Sequence, residues 1–280
     1  MSTSELEARV EALFPLAADA MPADAEDVVN AVLDAIEAGT VRAAARGADG
    51  TWRAVPWVKR GILLGFRVGR TVEHESAAPF SFFDKHTFPA RRFTEASGVR
   101  VVPGGSTVRR GAYIAPGVVC MPPMFVNVGA WVGAGTMIDS HALVGSCAQL
   151  GERVHLSAAA QVGGVLEPIN ASPVVIEEDV VIGGNCGVYE GTIVRAKAVL
   201  GAGVVLTRGT PVFDLVREQV YRGSAETPLE IPAGAVVVPG ARAVKGGFAA
   251  EQGISLQTPV IVKYRDERTD LATALEGWLR

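Results

Sequence analysis

Large rings are scarce in this chain: aromatic residues make up 6% of its 280 residues, against 32 glycines. That balance favours many tight turns. Cysteine is scarcer still, and three residues form no full disulfide set; none of them has the spacing of a metal site. Charge of one sign never accumulates in a long run, and the formal net charge is only -4. A non-specific nucleic-acid binder and a membrane-surface protein are thereby excluded, and small molecules are the expected partners. No apolar stretch approaches the length of a membrane span, and the start "MSTSELEARVEALFPLAADAMP" lacks a basic segment followed by an apolar one. A cytoplasmic protein is expected.

What the chain does have is a period of six. From Val102 every sixth residue is apolar through Val108, Ile114, Cys120, Val126, Val132, Ile138, Val144, Leu150, Leu156 and Val162. After a two-residue excess in "GGVLEPINASP" the phase resumes at Ile176, Ile182, Val188, Val194, Leu200 and Leu206. Glycine often follows the anchor, as at Gly133, Gly145, Gly151, Gly163, Gly183 and Gly201, and small residues such as Ala130, Thr136, Ala142 and Ala148 stand four after it. Fixed-period self-similarity marks a solenoid. Each unit reads as a short strand plus a corner, with two inward residues per six, and three such sides make one coil. With strands about 4.8 Å apart, six or so coils stack into a prism roughly 30 Å long. A sandwich of short strands would not hold one phase over so many turns. Cys120 and Cys186 fall on inward positions and Cys147 does not; all three read as buried small hydrophobes rather than reactive thiols.

Residues 1–99 read as a helical N-terminal domain with a loop-rich crossing. Ser4 is expected to cap a first helix with an apolar stripe of Leu6, Val10, Leu13 and Phe14. Asp24 or a neighbour starts a second, carrying Val28, Val29, Val32, Leu33 and Ile36 on one face and ended by Gly39. "WVKRGILLGFRVGR" gives a third, with Gly61 and Gly65 allowing close packing, while Trp52 and Trp57 read as core. The solenoid is expected over 100–245, with an excursion at about 208–230 before Ile231 restarts the phase. The segment 246–280 is expected to close the open end with a strand and a helix from about Thr269.

"WVKRGILLGFR", "MIDSHALVGSCAQLGERVHLS", "GGVLEP" and "IPAGAVVVPG", in that order along the chain, resemble the bacterial tetrahydrodipicolinate N-succinyltransferases within the hexapeptide-repeat acyltransferase superfamily. The resemblance covers nearly the whole chain. It implies a mainly β fold, a left-handed parallel β-helix with a helical N-terminal domain and a C-terminal cap. Succinyl-CoA is implied as co-substrate, a small dicarboxylate as acceptor, a homotrimer with sites between subunits as the assembly, and no metal or permanently bound cofactor. Handedness comes from the resemblance alone.

Asp139, beside the inward Ile138, admits two readings from the residues themselves: a turn-forming corner or a functional carboxylate. The resemblance implies the second, with a part in substrate binding and proton handling. Arg100 in "GVRVVP" matches an arginine implicated in holding the dicarboxylate, a task suited to a planar guanidinium. Arg109 and Arg110 are weaker candidates. A second glutamate implied by the resemblance is missing, since Gly187 stands at its position; Glu190 lies near it. Glu177 is expected in the same corner column as Met121, Asp139 and Ser157. His155 is a competing base, or a structural histidine. Three functions stay open: the N-succinyltransferase, an acetyl-CoA-dependent acetyltransferase on another amine such as an amino sugar, and a non-catalytic trimeric scaffold.

Overall fold

The structure is a computed structural model that describes residues 1–74 and 81–265. From Arg100 the chain climbs in triangular coils, each side a two-residue strand. Ile114 stacks in parallel on Val132, Ile138 on Leu156, and Val126 on Val144, which builds three parallel sheets around one core. This is a left-handed parallel β-helix. The sixth-position anchors Ile138, Val144, Leu150 and Leu156 are fully buried, and Ala130, Ala148 and Ala160 fill the remaining interior. Each large aliphatic side chain so buried contributes about 1.5–3 kcal/mol.

One face, of strands Tyr113–Ile114, Trp131–Val132, Gln149–Leu150, Val175–Ile176, Ile193–Val194 and Glu230–Ile231, is backed by the N-terminal segment. The second face carries Arg100–Val101, Val119–Cys120, Met137–Ile138, His155–Leu156, Val181–Ile182 and Val199–Leu200. The third carries Thr107–Val108, Phe125–Val126, Leu143–Val144, Gln161–Val162, Gly187–Val188 and Val205–Leu206.

Leu150 pairs with Ile176, 26 positions on, so the coil containing 163–174 is eight residues longer than its eighteen-residue neighbours. The phase alone suggested two. Excesses of two and eight differ by one full period and leave the apolar pattern unchanged, so only the stacking distinguishes them. The shift moves Glu177 onto a different edge of the prism from Asp139.

Two glycine-like positions at each corner answer different needs. Left-handed backbone falls three residues after the anchor, at Gly129 (φ 78°), Gly135 (67°), His141 (62°) and Cys147 (64°). The glycine immediately after the anchor leaves room for the next coil. A Cβ on Gly133 would lie 2.5 Å from the Gly151 carbonyl carbon, and one on Gly145 2.1 Å from the Gly164 nitrogen.

The first helix, α1 (Thr3–Leu13), is capped by Ser2 and not Ser4, because Ser2 and Glu5 form a reciprocal capping box. Helices α2 (Ala25–Glu37) and α3 (Pro56–Val68) bury Val28, Val29, Val32, Leu33, Trp57, Val58 and Ile62 against α1 and the prism. Gly61 and Gly65 admit Val32 and Phe88, whose carbons would lie 2.9 Å and 2.6 Å from an added Cβ. Val128 and Cys147 reach out of the prism into this second core, which explains why Cys147 is buried while facing away from the coil interior.

Beyond Leu206 the chain forms a small hairpin of Val212–Asp214 with Gln219–Tyr221. It then rejoins the prism at Glu230–Ile231 and continues as a long antiparallel pair, Ala235–Ala243 with Ser255–Tyr264. Both hairpins extend the second face to ten strands. The helix expected from about Thr269 lies outside the described residues.

Candidate active site at the Asp139 corner

Asp139 leaves the second face at its edge with the third. Its amide donates to Leu156 O (2.9 Å) and its carbonyl accepts from Ala142 N (3.1 Å), so the backbone at this corner is fixed by ordinary coil bonds. The side chain is half-buried, and Oδ1 accepts from Ser140 N at 2.7 Å. Oδ2 has no hydrogen-bond partner among the described residues. The left-handed position of this corner belongs to His141, so left-handed geometry does not require an aspartate at 139. Asp139 instead opens the turn, its Oδ1 bonded to the next amide and its carbonyl to Ala142 N, so the corner and the functional reading both keep a physical basis.

The stacked residues in Asp139's column are Met121, Ser157, Gly183 and Gly201. Glu177 stands instead in the column of Gly133, Gly151 and Arg195, on the edge leaving the helix-backed face. There it is buried and saturated: Oε1 accepts from Trp52 Nε1 (2.9 Å) and Arg195 Nη1 (3.0 Å), and Oε2 from Ala196 N (3.0 Å). Burial opposes its ionisation, but these donors outweigh it and hold the carboxyl below its usual range. Glu177 ties the Trp52 strand to the prism, and Trp52 is half-buried as that bond's donor rather than a core residue.

Arg100 lies two strands from Asp139 on the same face, about 10 Å away at the usual strand spacing. It is exposed, and its guanidinium has no partner among the described residues. Arg109 is already engaged. It donates to Asp84 Oδ2 (2.5 Å) and Asn127 Oδ1 (3.3 Å) and lies over the Phe66 and Phe88 rings. Arg110 is likewise bound to Asn30 and Asp34. His155 is buried on the second face between Met137 and Val181, one coil from Asp139. Glu190 sits in left-handed backbone (φ 54°) at the edge between the third and helix-backed faces, with Oε2 accepting from Arg208 N at 3.0 Å.

Gly187 faces outward on the third face. An added Cβ would meet the Tyr189 ring at 2.4 Å, and one on Gly163 would meet the same ring at 2.8 Å. Tyr189 therefore lies across both glycines and occupies the space a side chain at 187 would take. Sequence reasoning missed it, although a glycine in a column otherwise made of Thr107, Phe125, Leu143, Gln161 and Val205 is a signal that another group covers it. The thiols are poor nucleophiles: burial raises all three, Cys120 and Cys147 to about 12.

Residues 5–68 match the family model described as tetrahydrodipicolinate N-succinyltransferase N-terminal, and 173–208 the hexapeptide repeat of succinyl-transferase. A 2,3,4,5-tetrahydropyridine-2,6-dicarboxylate N-succinyltransferase of Paramagnetospirillum magneticum is 43% identical over 92% of this chain and 90% of its own. The chain belongs to that succinyltransferase family. Proteins of the same name from Polynucleobacter asymbioticus (40%, over 95% and 93% of the two chains) and Nitrobacter winogradskyi (41%, over both chains in full) are similarly related. Within the family's fold, Arg100 and Asp139 share a face, while Glu177, Arg109 and Arg110 serve to attach the helical segment.

Proposed function

We propose that this chain is an N-succinyltransferase that moves succinyl from succinyl-CoA to the amino group of ring-opened tetrahydrodipicolinate, L-2-amino-6-oxopimelate, in diaminopimelate and lysine biosynthesis. The observation that carries the mechanism is Asp139, a half-buried carboxylate with one oxygen unpartnered among the described residues, at a corner whose left-handed position is held by another residue. The acceptor amine is protonated in water and must lose a proton before it attacks. Asp139 accepts that proton or orients the amine, the nitrogen bonds to the thioester carbon, and a tetrahedral oxyanion forms. Backbone N–H groups at the corners stabilise the oxyanion. The C–S bond then breaks, and the proton that the new amide nitrogen sheds passes to the CoA thiolate. These steps balance without a metal or a permanently bound cofactor. Arg100, exposed and unengaged, is suited to a carboxylate of the dicarboxylate acceptor.

The assembly in this reading is a cyclic homotrimer. The helices of the N-terminal segment back the first face, and the third face exposes Phe125 and Val205. Closed symmetry covers such a remainder and sets one subunit's corner beside the next subunit's face. Among the described residues no helix is long and apolar enough to cross a membrane, which agrees with a cytoplasmic enzyme. A thiol-release assay with succinyl-CoA and acetyl-CoA, each with and without acceptor, tests the reading. Acceptor-dependent release with succinyl-CoA well above acetyl-CoA is expected. Equal kcat/KM for the two donors would favour a general acetyltransferase, and no release would favour a scaffold.

A further inference from the structure

A cavity of about 430 Å³ opens between the helix-backed face and the short hairpin Ala44–Arg46 with Trp52–Ala54. Its wall is a ladder of rings: Tyr113 and Trp131, neighbours on successive coils, stack with centroids 3.9 Å apart. The Arg42 guanidinium lies 4.0 Å from the Trp131 ring centroid and 5.4 Å from that of Trp52. Its Nε donates to Gln149 Oε1 at 2.9 Å, and Gln149, itself buried, is fixed by donating to Cys147 O at 2.8 Å. The arginine is therefore held rigidly by stacking and by one hydrogen bond.

Its two terminal nitrogens are not used. They make no hydrogen bond or ion pair with any described residue, and they are not among the sealed unsatisfied atoms, so they open on the cavity. A cation in this setting bears the cost of burial without an anion to offset it. Burial accordingly draws the Arg42 pKa down to about 10, with Tyr113 beside it acting in the opposite sense. Stapling the N-terminal segment to the prism accounts for the ring contacts but leaves the fork unexplained. Of the acidic groups around the cavity, Glu177 is saturated and Glu152 is bound to Arg153. The Glu178 side chain has no partner among the described residues and lines the same space.

We propose that this cavity is a second small-molecule site, binding a free amino acid with its carboxylate on the Arg42 fork, its ammonium at Glu178 and its apolar body along Tyr113 and Trp131. The volume lies within the range of small-molecule pockets, and a rigid guanidinium matches a carboxylate through two parallel bonds. The site is separate from Asp139, which leaves a different face of the prism.

The test is titration of the full chain with three probes of equal chain length, L-norleucine, hexanoate and hexylamine, read by tryptophan fluorescence and by calorimetry. Norleucine is expected to saturate, hexanoate to bind about tenfold or more weakly, and hexylamine not to bind, since each lost charged contact costs about that factor or more. Arg42→Gln should abolish norleucine binding, and Asp139→Asn should leave it unchanged. Should Arg42→Gln fail to fold, Glu178→Gln carries the decision, because it leaves the stack intact and should reduce norleucine to the affinity of hexanoate. No saturable response to any probe at millimolar concentration overturns the proposal. So do equal affinities for norleucine and hexanoate, or norleucine binding unchanged in Glu178→Gln.

Discussion

Asp139 and Glu177 both stand immediately after an inward anchor of the same prism, yet the structure holds them in opposite ways. Glu177 is buried and takes hydrogen bonds from Trp52, Arg195 and the Ala196 amide. Asp139 is half-buried and takes one, from the amide of its own neighbour. A carboxylate whose oxygens are filled by donors from two distant parts of the chain serves attachment. One with an oxygen left over, at a corner whose left-handed position is held by another residue, is available for chemistry. Equivalent positions in a repeat thus acquire different work from what packs against them.

Asp139→Asn is the largest expected break in this comparison. It keeps the size of the side chain and removes proton acceptance, so turnover with saturating acceptor should fall about 10²- to 10⁴-fold while the melting temperature holds. Turnover within about threefold of the parent would remove Asp139 as a general base, whose loss should cost at least about 10²-fold. His155→Asn, assayed alongside, should be much milder if that ring is structural.

Glu177→Gln should show the converse, with turnover of the folded enzyme nearly kept and stability lowered by about 3 kcal/mol, as for a broken buried pair. Denaturant unfolding of the two variants side by side reads the contrast. The pH dependence sharpens it. Because the Glu177 pKa is lower folded than its ordinary value of 4.5, its contribution is fully present above that pH and is lost as pH falls through the folded value. The stability gap between parent and Glu177→Gln should therefore be constant at neutral pH and close progressively below about 4.5.

The two arginines extend the comparison to cations. Arg100→Gln should raise KM for the acceptor by about tenfold or more with little change in melting temperature, since it loses a charged contact made only with substrate. Arg109→Gln should lower the melting temperature and leave KM within a few-fold, because its fork is engaged with Asp84 and Asn127 and its guanidinium lies over two rings. The reverse pattern would exchange their roles.

The smallest effect is expected at Gly187→Ala. The added methyl must displace the Tyr189 ring, at a cost of about 1 kcal/mol or somewhat more. Tyr189→Ala in the same chain should recover part of that loss by thermal melting. Full additivity of the two would show that the ring does not cover Gly187.

Much of this molecule is legible in its sequence because the coil interior is a one-dimensional problem. A buried anchor every six residues, small residues four later and glycine at the close approaches are each dictated by contacts that repeat from coil to coil. The stripes of α2 and α3 are legible for the same reason, as each buries one face. The cap of α1 is not legible in the same way, because Ser2 and Ser4 both lie three residues upstream of a glutamate, and only the reciprocal bonding of Ser2 with Glu5 separates them.

Sequence by itself determined the repeat, its inward and outward residues, and the candidacy of Asp139 and Arg100. Tertiary structure alone decided which edge each corner occupies, because adding one whole period to an insertion leaves the apolar pattern unchanged while rotating everything after it by one side of the prism. It also decided which charges are spent. Arg109 and Glu177 meet their partners across 25 and 125 residues of chain, at Asp84 and Trp52, and Arg42 is fixed by Gln149 across 107 while its fork stays open. Such pairings depend on where the helical segment docks, and no local pattern in the chain encodes that.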